Sequence, residues 1–334
     1  MNNKMNNKSI ESIPSLLTLK EASEFLGCHP NTLRKWDKEK LLTAVRLGNR
    51  GDRRYRKEEI IKFIGKTGYV TNQKEAAKVS EVRRKYFDEY ASLLAKWGNL
   101  NSNSVFVDVP CGTGEMTKTL ADNGFGKKFY LVDINPEMVE AAKANVQKNA
   151  VFIVSDAAEI KTKIKEKVDA IFCLNGFHIY IDNKEKFLRG CFSVLKPGGV
   201  LIFDVSTKGI GDAHSKAFLE AESREMNRLA VKAGVLAKFP SWPDETDIEK
   251  YRLMAMKNGL VVNETISVDT WIPVGELKNS TLKIPGRLRP WLPGISDKER
   301  ISMYIKAHDV AKNEVKIKTI KHNRVFFVAK KTAK

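Results

Sequence analysis

The stretch VFVDVPCGTGEMTKTLADNG, residues 105–124, decides how the rest of the chain is read. A short apolar run ends at Asp108. A glycine turn follows through Pro110, Cys111, Gly112, Thr113 and Gly114, and then a helical pattern begins. Such a turn can cradle a phosphate, present a nucleophilic thiol, or let backbone pass close to a neutral cofactor. A phosphate loop needs G-x-x-x-x-G-K-[ST], which is absent here, and a dinucleotide fingerprint needs Gly or Ala where Thr117 stands. Asp108 at the strand end would repel a pyrophosphate and attract an ammonium. Pro-Cys pairs occur in enzymes that attack a cytosine ring through a thiolate, but there the pair lies at a later strand end. Cys111 is therefore read first as a small buried side chain lining the turn.

Working outward, further apolar runs of strand length appear as KFYLVD, AVFIVS, DAIFCLN and GVLIFDV, separated by helical stretches such as PEMVEAAKANVQKN and NKEKFLRGCFSVL. Alternation of this kind predicts an α/β fold, a doubly wound and mostly parallel sheet covered by helices on both faces. SEVRRKYFDEYASLLAKWGN reads as a helix with Ser80 at its N-cap, ahead of the first strand. The end of the chain, KIKTIKHNRVFFVAKK, reads as a strand or hairpin with Lys321 to Arg324 in its turn.

These elements together resemble the class I methyltransferases that use S-adenosylmethionine. That resemblance implies a seven-stranded Rossmann-like sheet. It matches Asp108 through Gly114 to the loop around the methionine portion of the cofactor, with Pro110, Cys111, Gly112 and Gly114 in contact with it. It also matches Asp133 in YLVDINPEM to the acid that binds the ribose hydroxyls, and Asp156 in VSDAAE to the acid near the adenine amine, with Ala157 beside it. LKPGG, residues 195–199, matches the element before the fifth strand. Pro110 departs from the family, which usually has glycine there. Ile134 and Met138 are placed to cover the adenine ring, although Met138 suits core packing equally well.

After the fourth strand, CLNGFHIYIDN places Asn175, His178 and Tyr180 on the side expected for the methyl acceptor, with Asn175 also counted among the cofactor contacts. His178 and Tyr180 are the catalytic candidates. A histidine is able to deprotonate a hydroxyl near neutral pH, and it is equally suited to a packed turn. Adenine-amine methyltransferases usually carry an Asn or Asp-Pro-Pro-aromatic run here, whereas this chain has Asn175-Gly176-Phe177-His178, so a small-molecule acceptor is expected. Long additions after the fifth strand bring Trp271, Trp291, Arg287 and Arg289 as candidate caps for an acceptor pocket; two arginines would suit a carboxylate or phosphate group.

The first part of the chain reads differently. LTLKEASEFLGCHPNTLRKWDKEKLL has helix-turn-helix spacing, and it resembles the MerR and excisionase type of winged helix-turn-helix, with VRLGNRGDRRYRKEEIIKFI as wing and following helix. That resemblance implies Arg34 and Lys35 in a DNA major groove and Arg46, Arg50, Arg53, Arg54 and Tyr55 on phosphates. Residues 1–66 hold 15 basic against 8 acidic side chains, within a chain of 334 residues at +18, which favours a polyanionic partner.

The expected organisation is a disordered tail at 1–16, the winged module at 17–66, a linker at 67–79 and the methyltransferase domain with its cap insertions at 80–334. The four cysteines, Cys28, Cys111, Cys173 and Cys191, have neither zinc-site pairing nor the density of a disulfide scaffold. No metal is therefore expected, and the cytoplasm is the expected compartment. No apolar run has the length of a membrane span. A homodimer is allowed but no heptad pattern fixes one. Two other functions fit: a DNA-binding regulator that uses the methyltransferase fold as a ligand sensor, and a nucleic-acid methyltransferase targeted by the first module.

Overall fold

The structure, a computed structural model, describes residues 14–26, 28–38, 40–48, 50–60, 63, 73–147, 149–179, 181–208, 212–237, 239, 243, 245–292 and 295–332. Most of the expected tail and linker, and the candidate Tyr180, lie outside the described residues. The chain divides into two compact units. One contains residues 1–72, 213–241 and 272–320; the other contains residues 73–212, 242–271 and 321–334.

The second unit is built on the expected sheet. Its strands are β4 (Val105–Asp108), β5 (Lys128–Asp133), β6 (Ala150–Val154), β7 (Val168–Cys173), β8 (Leu195–Lys208), β9 (Leu260–Pro273) and β10 (Thr319–Lys331). They lie in the order β6-β5-β4-β7-β8-β10-β9. Pairing is parallel from β6 through β8 and antiparallel between β8 and β10. Successive side chains of a strand face opposite ways, and both faces are apolar here. Val105, Val107, Ile171, Leu201, Phe203 and Phe327 pack on one side. Phe106, Phe172, Ile202 and Phe326 pack on the other, against Phe87, Tyr90 and Leu94 of a helix spanning Gln73–Trp97. Burial on two faces explains why these strands read as continuous apolar runs.

Two expectations change. The helix before β4 begins at Gln73 rather than after Ser80, so Ser80 lies inside it rather than at its N-cap position. The C-terminal segment is one continuous strand with no turn at Lys321 to Arg324, because each residue from His322 to Lys330 pairs in register with β8.

In the other unit, residues 14–63 carry α1 (Leu19–Leu26), α2 (Pro30–Lys38) and a three-stranded antiparallel sheet of β1 (Leu16–Thr18), β2 (Val45–Leu47) and β3 (Asp52–Arg56), in the order β1-β3-β2. Gly48 and Gly51 take φ of 69° and 65° at the tip of the β2–β3 hairpin, a conformation glycine adopts without strain. Leu17, Leu26, Leu33, Trp36, Tyr55 and Ile60 form the core of this module. Among the described residues the same unit also contains the helices Ala213–Lys232, Val274–Lys283 and Asp297–Val315. The long additions are thus largely helix rather than loop.

Candidate functional site

The ends of β4, β5 and β6 meet at one small cleft lined by Val109, Pro110, Val132, Asp133, Ile134, Ser155, Asp156, Ala157 and Ile181. Five of the expected cofactor residues meet there: Pro110, Asp133, Ile134, Asp156 and Ala157. Parallel strands make this possible, since their carboxyl ends all stop at one edge and hand the chain to loops.

Asp133 organises the floor. One of its carboxylate oxygens accepts the main-chain N–H of Gly112 at 2.8 Å, and the other accepts that of Asn135 at 2.9 Å. A single side chain therefore fixes both the glycine turn after β4 and the turn after β5. Gly112 and Gly114 take φ of 54° and 75°. A Cβ on Gly114 would also press on Leu131, Ala142 and Val146 at 3.1–3.2 Å. Asp156 caps the short turn that follows β6 by accepting the N–H of Ala158 at 2.9 Å.

The remaining candidates stand around the cleft rather than in its lining. Asp108 is buried and accepts the Thr117 hydroxyl at 2.8 Å. Met138 is buried on the helix Pro136–Asn145. Cys111 packs into the core face that holds Phe106 and Phe172. Burial, then the nearby Asp133 and Asp108 carboxylates, push its thiol well above the usual range, so it is held as a neutral thiol and not as a nucleophile.

The turn after β7 holds Asn175 and His178. Asn175 takes φ of 54°, and its N–H donates to Asp204 of β8 at 2.7 Å. The next residue, Gly176, has no room for a side chain: a Cβ there would lie 2.3 Å from the Pro110 ring. For His178, burial and then the Lys184 cation push the imidazole down to about 4, against an opposing contact with the backbone of Asp204. The ring is neutral at neutral pH and a weak base.

Sequence reading missed Ser155 and Ile181, which line the cleft, and the pair Asp204 and Arg324. Asp204 is 0% exposed and Arg324 is 1% exposed. Their signal was an ionisable residue inside an otherwise apolar strand, in GVLIFDV and in NRVFFVA, where a charge is kept only with a partner. Of the proposed caps, Trp271 is 57% exposed, and Arg289 is tied to Asp297 at 2.7 Å. Among the described residues no cluster of His, Cys, Asp or Glu is arranged to hold a metal ion, and no helix is long and apolar enough to cross a membrane.

In the N-terminal module, Arg34 and Lys35 lie on the exposed side of α2, and Asn31 accepts from the Arg34 guanidinium at 2.6 Å. Arg50 is exposed at the hairpin tip, and Arg54 is half-buried on β3. Arg46 and Arg53 are engaged within the protein. Both pair with Asp37 of α2, at 2.5 and 2.7 Å, and the same carboxylate accepts the Ala44 N–H at 2.9 Å. Burial by itself would raise the Asp37 carboxyl; the Ala44 amide and the two arginines outweigh it and hold the group below its usual range. Tyr55 corrects the phosphate-contact expectation. It is 0% exposed, and its hydroxyl donates to the Leu33 carbonyl at 3.2 Å, because alternation along β3 turns it inward between Arg54 and Arg56.

Residues 107–203 match the family described as a methyltransferase domain, and residues 16–67 match one described as a helix-turn-helix domain. A malonyl-[acyl-carrier protein] O-methyltransferase 2 of Coxiella burnetii is 35% identical over 106 residues, which cover 31% of this chain and 42% of that protein. A demethylmenaquinone methyltransferase of Leptospira interrogans is 29% identical over 110 residues, 31% of this chain and 43% of that one. The chain spans less than half the length of these two relatives. Among solved structures, a SAM-dependent methyltransferase from Thiobacillus denitrificans in complex with S-adenosylhomocysteine is similar at 17% identity and a TM-score of 0.45, over 72% of this chain and 90% of that one.

Proposed function

We propose that this chain, which carries a class I methyltransferase domain behind an amino-terminal helix-turn-helix domain, transfers a methyl group from S-adenosylmethionine to a small-molecule acceptor. The observation that carries this reading is the meeting of Pro110, Asp133, Ile134, Asp156 and Ala157 in one cleft at the strand ends. The cofactor combines an amino-acid end, a sulfonium, a ribose and adenine. It calls for backbone proximity, a carboxylate at the diol, an acceptor near the adenine amine and an apolar wall. Gly112 and Gly114 supply the first, Asp133 the second, Asp156 with the Ala157 main chain the third, and Ile134 with Pro110 the fourth. The bound cofactor supplies the activated carbon. The protein then has to hold the two reactants in line, which provides much of the acceleration for such a displacement.

Among the described residues of the turn after β7, His178, held at about 4, is a weak base, which favours an acceptor whose attacking atom is already nucleophilic. Incubating the full chain with methyl-labelled cofactor and cell extract, then following the label by mass spectrometry, tests this reading. Label in a small metabolite supports it. Label confined to DNA or RNA supports a nucleic-acid methyltransferase instead.

A second reading rests on the exposed Arg34 and Lys35 of α2 and the Arg50 hairpin tip: the module binds operator DNA and the strand-end cleft reports cofactor status to it. Specific DNA binding altered by cofactor, with no turnover on any acceptor pool, favours that reading.

A further inference from the structure

The C-terminal strand carries a charged residue that the methyl-transfer reading leaves unused. Arg324 on β10 is 1% exposed and ion-pairs with Asp204 on β8, which is 0% exposed. The guanidinium also lies 5.9 Å from the Tyr90 ring centroid and 5.2 Å from that of Phe326. A buried pair of this kind is weak evidence for stability, since desolvating two charges costs about as much as their attraction returns. Its placement suggests another use.

Asp204 has two oxygens and they do different things. Oδ2 takes the Arg324 guanidinium, and Oδ1 accepts the Asn175 N–H at 2.7 Å. Asn175 is the first residue of the turn after β7 with a left-handed backbone. Gly176 follows, and its Cα face lies against the Pro110 ring so closely that a Cβ would stand 2.3 and 2.5 Å from the ring carbons. Pro110 in turn lines the strand-end cleft with Asp133 and Asp156. A continuous contact path runs from β10 through Asp204, Asn175 and Gly176 to the wall of the cleft, all within one compact unit.

We propose that Asp204 is a positioning residue: with its charge met by Arg324, its Oδ1 holds the Asn175–Gly176 turn against Pro110, and so sets the width of the cofactor cleft. The inference rests on the cofactor reading of that cleft. Without an acceptor at this position the Asn175 N–H would be left unsatisfied, and the turn would lose its anchor.

Two double variants of the full chain separate positioning from folding, because both remove the buried charges together. D204N/R324M keeps an oxygen that accepts the Asn175 N–H; D204L/R324M does not. S-adenosylhomocysteine affinity by calorimetry, melting temperature, and amide hydrogen exchange at residues 175–177 are measured on each. The inference expects D204N/R324M to bind the ligand nearly as the wild type does. It expects D204L/R324M to bind about tenfold more weakly at a similar melting temperature, with exchange at Asn175 about tenfold faster, as suits the loss of one buried hydrogen bond. Equal affinity and equal exchange in the two variants overturn it.

The wild-type chain supplies a check that needs no variant. Asn175 should exchange far more slowly than an unstructured peptide amide, and an Asn175 amide exchanging at the unstructured rate overturns the proposal. If the wild type binds no S-adenosylhomocysteine, the cofactor reading fails, and the exchange measurements alone decide whether Asp204 positions the turn.

Discussion

Asp133 in the strand-end cleft and Asp37 in the N-terminal module both collect main-chain N–H groups, yet they end in opposite states. Asp133 gives its two oxygens to Gly112 and Asn135, shaping two loops around an opening. Asp37 takes one amide and two arginines. The first arrangement leaves a carboxylate at the edge of a cleft, suited to a ligand with hydroxyls or positive charge. The second ties two arginines to a carboxylate of the same module. An acid beside a glycine turn and an acid beside a basic wing look alike in one dimension; the partners that the fold delivers decide what each does.

The largest effect is expected from Asp133→Ala. Two buried N–H groups lose their acceptor, at about 1–3 kcal/mol each, and the proposed ribose contact goes with them. Calorimetry should show S-adenosylhomocysteine affinity down about a hundredfold from the lost hydrogen bonds to a charged group, while the two unsatisfied N–H groups lower the melting temperature. Unchanged affinity would break the contrast by making Asp133 as inward-looking as Asp37.

Next in size is Gly176→Ala. The new Cβ collides with the Pro110 ring, an overpacking cost of about 1–3 kcal/mol, and cofactor affinity should fall with it. A variant that melts and binds as wild type would show that the turn after β7 is free to move.

Asp37→Asn sharpens the other side of the comparison. Releasing Arg46 and Arg53 should steepen the salt dependence of non-specific DNA binding by up to about two phosphate contacts, while the module loses stability. The sign in pH follows from the lowered carboxyl: its stabilisation is complete above the unfolded value near 3.8 and is lost as pH falls through the lower folded value. An unchanged salt slope would mean that both arginines already reach DNA.

His178→Gln addresses proton linkage in the turn. The imidazole is pushed from 6.5 down to about 4, so its neutral form is favoured in the folded chain. That contribution is complete above about pH 6.5 and declines as pH falls toward 4. The variant should melt with a flatter pH dependence in that window, and methyl transfer between pH 7 and 8 should keep its profile. A rate inflection near neutrality that vanishes in the variant would restore His178 as a base. The smallest effect belongs to Tyr55→Phe, which removes one hydroxyl bond to Leu33 at about 0.5–1.5 kcal/mol and should leave DNA affinity alone.

The strand-end acids were legible because parallel strands make long apolar runs, and an acid at the end of such a run stands out. The order β6-β5-β4-β7-β8 then forces those ends together. Tyr55 was legible too, had the alternation in DRRYR been followed strictly. Other features needed the fold itself. Asp204 and Arg324 are 120 residues apart and meet only through the antiparallel register of β8 and β10. Asp37 reaches Arg53 across 16 residues and a hairpin. Pairings of this kind leave no periodicity in sequence, because the intervening turn lengths set them.

The central claim is tested most directly by a crystal structure of the full chain with S-adenosylhomocysteine. The account predicts the ribose diol on Asp133, the adenine between Ile134 and Ala157 with its amine toward Asp156, and the methionine portion along Gly112 and Gly114. Ligand density elsewhere in the molecule, or a ligand in the cleft that leaves Asp133 uncontacted, would contradict it.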